Sequence, residues 1–158
     1  MAQSKTNAMR ILEQKKIEYK MNTYDSSDGK VDGVSVAEKI GKDPSLVYKT
    51  LVCQGGSRNY YVFVIPVSEE LDLKKSARAA GEKKVEMIQV KDIQNVTGYI
   101  RGGCSPVGMK KDYRTFVDAN AETLEYIIVS GGRIGTQIEL KVEDLLDAAK
   151  AEIHDLLK

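Results

Sequence analysis

Hydrophobic spacing changes period several times along this chain, and each change marks an element. Near the start, Ala8, Ile11, Leu12 and Lys15 share one helical face behind the cap candidates Ser4 and Thr6. Residues 25–30, polar and glycine-bearing, read as a loop. Ser35-Val36-Ala37-Glu38 has the form of a capping box, and Gly41 supplies the stop for the short helix it opens. Residues 47–53 and 60–67 are β-type runs whose Gly55-Gly56-Ser57-Arg58-Asn59 connection predicts a hairpin. Residues 72–80 predict a helix closed by Gly81, with Leu73, Ala77 and Ala80 facing inward, and 90–97 a further turn or two halted at Gly98.

Tyr99 and Ile100 then read as a strand end leading into Gly102-Gly103-Cys104-Ser105-Pro106. Residues 115–117 and 126–129 are short strands, and 136–140 alternate, with Ile138 and Leu140 on one face. A last amphipathic helix starts near Val142 and carries Leu145, Leu146, Ala149, Ile153 and Leu156 on one stripe, which leaves His154 facing solvent. Unequal runs of strands with helices at both ends predict an α+β fold with a mixed, mostly antiparallel sheet. Residues 1–158 carry no linker, repeat or low-complexity break and read as a single domain.

Composition narrows the function. The balance of 24 basic against 23 acidic side chains leaves a net charge of +1, which excludes a strongly basic nucleic-acid coat but not local patches. A chain of 158 residues with 42% apolar content can bury roughly two-thirds of its unfolded surface. Its longest apolar run is too short to span a bilayer, and no apolar segment resembling a signal peptide follows the first residues. Cys53 and Cys104 lack metal-ligand spacing and His154 is the lone histidine, which argues against zinc and against a histidine-dependent triad. The expectation is a protein of the reducing cytoplasm with no metal or cofactor and no membrane partner.

Two glycine turns at strand ends, Gly102-Gly103-Cys104-Ser105-Pro106 and Ser130-Gly131-Gly132, are candidate walls of one pocket. Glycine permits close backbone approach and positive φ, and Pro106 fixes φ while withholding a donor, so bare amides and carbonyls can face a small ligand. Lys49 is the oddest charge: it lies in an otherwise apolar strand, on the face of Val47, Leu51 and Cys53. It can snorkel to solvent, or it can aim an ammonium at phosphate, ribose or carbonyl oxygen. Cys104 is either a packed thiol or a nucleophile lacking an evident base. Ser105 and Ser130 suit turns or ligand contacts, and Tyr24 suits a core edge or a pocket wall. Arg101, Lys110, Lys111 and Arg133 flank the two turns, a basic rim suited to a phosphodiester tail.

With these residues assembled, the sequence resembles the YbaK family of bacterial aminoacyl-tRNA deacylases. The resemblance runs in order through Tyr48-Lys49-Thr50-Leu51-Val52, Leu71-Asp72-Leu73-Lys74-Lys75, Lys83-Lys84-Val85-Glu86-Met87, Thr97-Gly98-Tyr99-Ile100, the Gly102 to Lys111 stretch and Val129-Ser130-Gly131-Gly132. It implies a barrel-like mixed sheet surrounded by helices, similar to the editing domain of bacterial prolyl-tRNA synthetases. It also implies hydrolysis of cysteine wrongly attached to tRNA(Pro), with tRNA(Cys) as a further substrate and prolyl-tRNA synthetase as partner. Lys49 matches the family's functional lysine, expected to hold the terminal adenosine and the ester. Gly102, Gly103, Cys104, Ser105 and Pro106 match its GxxxP loop, expected to receive the amine and surround the carbonyl. Ser130, Gly131 and Gly132 match the second pocket turn, and Tyr24 a tyrosine beside the site.

In that family the cysteine substrate is thought to use its own thiol, attacking its ester carbonyl and expelling the tRNA. Two positions depart from the family pattern: Ile134 stands where many relatives have a second basic residue, and Asp32 where some have an aromatic one. Two other readings stay open on the residues alone, a deacylase of Ala-tRNA(Pro) and a non-catalytic module that binds tRNA or a synthetase.

Overall fold

The structure, a computed structural model, describes residues 5–158, so the cap candidate Ser4 lies outside it. Thr6 opens α1 (Asn7–Gln14): its Oγ1 accepts from the Met9 amide at 3.2 Å, and Ala8, Met9 and Leu12 turn into the core. A short polar strand with no hydrophobic alternation to announce it, β1 (Lys20–Thr23), follows. The next helix, α2 (Gly33–Lys39), begins ahead of the expected capping box because Asp32 takes that role, its carboxylate accepting from the Ser35 amide at 3.1 Å. The departure at Asp32 is therefore a helix cap. Gly41, at φ +70°, closes this segment as expected.

The predicted hairpin forms from β2 (Tyr48–Gly55) and β3 (Tyr60–Pro66), in register from Tyr48 opposite Pro66 to Gln54 opposite Tyr60. Helix α3 (Leu73–Ala80) is capped by Asp72 and closed by Gly81. Leu73, expected inside, is 40% exposed, and Ser76 is buried instead. A buried serine is tolerated there because its Oγ donates to the Asp72 carbonyl at 2.8 Å, inside the helix itself. After β4 (Val85–Met87) and a single 3₁₀ turn comes α4 (Ile93–Thr97), stopped at Gly98. Tyr99 and Ile100 do not form the expected strand. The Tyr99 amide donates to Thr97 Oγ1 at 3.0 Å and its hydroxyl to the Val107 carbonyl at 2.7 Å, so its polar groups brace the loop rather than a ladder.

Strands β5 (Arg114–Asp118), β6 (Tyr126–Arg133) and β7 (Thr136–Lys141) agree with the pattern. The last helix, α5 (Val142–Ala149), is shorter than expected: Lys150 adopts φ +53° and Ala151–His154 form β8. Ile153 thus leaves the helical stripe for a strand, and His154 stands edge-on to Phe116 at 5.2 Å. The buried Asp118 carboxylate accepts the Leu156 amide at 3.0 Å and anchors the chain end.

Two sheets result, β1-β7-β6 and β4-β2-β3-β5-β8, as expected for an α+β fold with mixed, mostly antiparallel pairing, and they do not close into a barrel. β3–β5 and β5–β8 pair in parallel and the other pairs are antiparallel. A lone parallel bridge, Val47 to Ile128, ties the sheets together. Between them lies the larger core, with Leu12, Val62, Val64, Val117, Ile127 and Leu140 fully buried or nearly so. The outer face of the five-stranded sheet carries a second cluster around Phe63 and Phe116, stacked at 5.4 Å under α3. Among the described residues no helix is long and apolar enough to cross a membrane.

Candidate active site

The bridge between the sheets also locates the site. Val47 and Ile128 are paired in parallel, so two residues further along each strand Lys49 and Ser130 come side by side. Both line a cavity of about 310 Å³. β7 brings in Gln137, whose Cα faces Ser130 on one side and Asn22 of β1 on the other. Arg101, Gly102 and Cys104 enter from the loop after α4, and Val31, Met87, Ile88, Val90 and Ile93 supply apolar wall. The volume is at the small end of ligand pockets.

Among the described residues the Lys49 ammonium makes no hydrogen bond or ion pair, and neither does the Arg101 guanidinium. Thr50 Oγ1 and Gln137 Oε1, both buried, also lack a partner. Burying polar atoms without partners costs about 1–3 kcal/mol each, so a hollow that collects them with a free cation is built to be completed by a ligand. Cys104 is different. Burial pushes its thiol up to about 11, against a smaller lowering by a hydrogen bond from Thr97, so at neutral pH it is neither charged nor strongly nucleophilic. Cys53, buried in the second cluster, is pushed up to about 12. His154 lies on β8, outside the residues that line the cavity.

The two glycine turns meet back to back. A Cβ on Gly103 would fall 2.9 Å from Arg133 Cα and from Ile134 N, so only glycine allows this approach. Gly102 holds φ +86°, and the Gly103 amide donates to the Ile100 carbonyl at 2.9 Å. Ser105 Oγ accepts from the Val107 amide, and Ser130 Oγ from the Gly132 amide at 3.2 Å within a bulge of β6. Gly103, Ser105, Pro106, Gly131 and Gly132 thus shape the turns from behind, while Gly102, Cys104 and Ser130 reach the cavity. From the other side, Thr6 Oγ1 donates to the Gly131 carbonyl at 2.5 Å and Asn7 to the Gly108 carbonyl at 2.6 Å, so the start of α1 holds the second turn and the segment that follows the first.

Other expected residues stand elsewhere. Tyr24 does not line the cavity: its ring sits under the Lys39 ammonium at 5.8 Å, and its buried hydroxyl has no partner among the described residues. Lys39 in turn donates to the Asp25 and Lys30 carbonyls and to Asp28, which clamps the loop leading to Val31. Of the basic rim only Arg101 reaches the mouth. Lys110 donates to the Asn95 carbonyl at 3.2 Å, Lys111 lines a separate hollow with Pro106 and Asp112, and Arg133 is engaged beside Thr136. The sequence reading missed Thr50 and Gln137. Thr50 neighbours Lys49, but Gln137 becomes visible only through the register that sets it opposite Ser130.

Comparison with known proteins gives the family. The chain is 46% identical over 154 residues to EbsC of Enterococcus faecalis, named as a candidate Cys-tRNA(Pro)/Cys-tRNA(Cys) deacylase, covering 98% of this chain and 94% of that one. It is 27% identical over 97 residues to a proline–tRNA ligase of Brachyspira hyodysenteriae, covering 60% of this chain and 16% of the ligase. A crystal structure described as a candidate trans-editing enzyme for prolyl-tRNA synthetase superposes with a TM-score of 0.82 at 21% identity, over 96% of this chain and 95% of that one. The profile of the aminoacyl-tRNA editing domain matches residues 31–148, and with that match the chain belongs to the aminoacyl-tRNA editing domain family.

Proposed function

We propose that this protein is a trans-acting aminoacyl-tRNA deacylase that removes cysteine from tRNA(Pro), with cysteinyl-tRNA(Cys) as a second substrate. The observation that carries this reading is the unpaired Lys49 ammonium in a small hollow of unsatisfied polar atoms, beside a cysteine held as a neutral thiol. Such a site binds and polarises an ester without attacking it. A synthetase pocket built for proline cannot reject a similarly small amino acid strongly by binding alone, so a second site must remove the error.

The substrate's own sulfur serves as nucleophile. Its S–C bond to the ester carbonyl forms a cyclic thioester, the C–O bond to the ribose breaks, and the thiol proton ends on the released ribose hydroxyl. Water then opens the thioester. Lys49 and the backbone around Gly102 oppose the charge that develops on the carbonyl oxygen, and the cavity holds sulfur and carbonyl close together. A net charge of +1 gives weak affinity for tRNA alone, which supports action beside prolyl-tRNA synthetase in the cytoplasm.

The test is a panel of cysteinyl-, alanyl- and prolyl-tRNA(Pro), with and without the synthetase. Cysteinyl-tRNA(Pro) is expected to be cleared and prolyl-tRNA(Pro) spared. Equal rates on alanyl and cysteinyl esters would overturn the substrate-thiol mechanism, since alanine supplies no sulfur. Binding without turnover would leave a non-catalytic module.

A further inference from the structure

The cavity wall made by Met87 and Ile88 has a second side. There it borders another hollow, about 620 Å³, lined by Gln54, Tyr60, Lys84, Gln89 and Lys91. From the geometry we infer that this groove takes the unpaired nucleotides that precede the aminoacylated adenosine. The inference rests on the deacylase reading above and extends it to a binding subsite for RNA.

Continuity is the first argument. Five residue steps along β2 lead from Lys49 in the cavity to Gln54 in the groove, about 17 Å of extended strand, which is more than the length of a nucleoside. A strand whose adenosine sits by Lys49 and crosses the Met87 rim brings its next nucleotides to this groove. The rim on this side is a ridge of exposed apolar side chains, Met87 at 46% and Val90 at 54%. An unstacked base needs such a flat apolar platform, and its π-face makes it tolerant of sequence.

Chemistry is the second. Beyond the ridge the exposed Lys91 ammonium has no hydrogen bond or ion pair among the described residues, so it is free to meet a phosphate. Gln89 and Gln54 offer amides to base edges or ribose hydroxyls, although Gln54 Nε2 already donates to the Arg58 carbonyl at 3.2 Å. Of the two carboxylates at the groove, Glu86 is paired with Lys84 at 2.7 Å, and Asp92 is half-buried in the single turn, its amide donating to the Gln89 carbonyl at 2.9 Å, which leaves the exposed Lys91 as the outermost charge. The scaffold is firm: β4 pairs with β2 through Cys53–Met87 and Gln54–Glu86, and the Ile88 amide donates to the Val52 carbonyl at 3.1 Å. Lys110 and Lys111, by contrast, are not at the cavity.

The experiment compares cysteinyl-tRNA(Pro) with 3′-O-cysteinyl adenosine, which ends where the groove begins. Lys91→Gln and the Lys91→Gln/Gln89→Ala double variant alter exposed side chains, and thermal melts check that they fold. The ratio of kcat/KM on the tRNA to kcat/KM on the short ester is expected to fall roughly fivefold or more in the double variant. The log–log salt dependence on tRNA is expected to flatten by about 0.7 for Lys91→Gln, the signature of one lost single-strand phosphate contact. An unchanged ratio and salt slope, with wild type active on the tRNA, would overturn the groove and leave the deacylase standing. A fall on Lys111→Gln in place of Lys91→Gln would also overturn it and send the strand across the other face. Wild type inactive on both esters would bring down the deacylase reading and the groove together.

Discussion

At the scale of single residues, the site depends on charges and polar atoms that the protein leaves unanswered. Lys49 is the clearest case. Replacing it with alanine keeps the strand but removes the cation, and the expected loss is about 10²–10³-fold in kcat, the usual cost of deleting one preorganised donor. Single-turnover deacylation of cysteinyl-tRNA(Pro) measures this, and a rate equal to wild type would dismiss Lys49 from the chemistry. Cys104 makes the opposite case. With its thiol pushed up to about 11, it stays protonated through the physiological range. Cys104→Ser is expected to leave kcat within the same order of magnitude, and alkylation of the native protein near neutral pH to be slow. Rapid alkylation with parallel loss of activity would make it a nucleophile after all.

At the scale of elements, the start of α1 does two jobs with one hydroxyl. Thr6 accepts from the Met9 amide as a helix cap and donates to the Gly131 carbonyl in the second glycine turn. Thr6→Val is expected to cost about 1–2 kcal/mol for the cap and to lower kcat through the loosened turn, whereas Thr6→Ser, keeping the hydroxyl, stays near wild type. Thermal melting and deacylation together decide it: a Thr6→Val protein of lower stability but normal kcat would confine Thr6 to capping. The elements also show what was legible in the sequence. Gly41, Gly81 and Gly98 announced their helix ends because they hold positive φ where other residues are strained. Lys150 adopts the same left-handed turn without being glycine, so nothing in the residue type warned that α5 stops and β8 begins. The two glycine turns were legible because close approach demands glycine at Gly103. Gln137 and the groove by Lys91 were not, because strand pairing created them: register sets Gln137 opposite Ser130, and the pairing of β4 with β2 brings the Lys91 turn beside Gln54.

At the scale of the whole molecule, two cores share one strand hairpin, and both enclose groups that titrate only in strong alkali. Cys53 is pushed up to about 12 and Cys104 to about 11 by burial, both above the ordinary thiol value. Tyr48 and Tyr99 are raised as well, chiefly by burial. The sign follows from proton counts. Above the unfolded thiol value of about 9 the unfolded chain loses protons that the folded chain keeps, so it binds fewer and stability falls as pH rises. Each thiol contributes a slope of about 1.4 kcal/mol per pH unit at most until its folded value is reached, and the buried tyrosines extend the decline upward. Denaturant titrations between pH 8 and 11, pH values chosen to bracket the thiol range, are expected to show a steepening loss. The Cys53→Ala/Cys104→Ala protein, less stable at neutral pH, should lose less over the same interval. Equal slopes in the two proteins would mean that the thiols are not held neutral by the fold, and the case for a cavity without a nucleophile of its own would lose its electrostatic support.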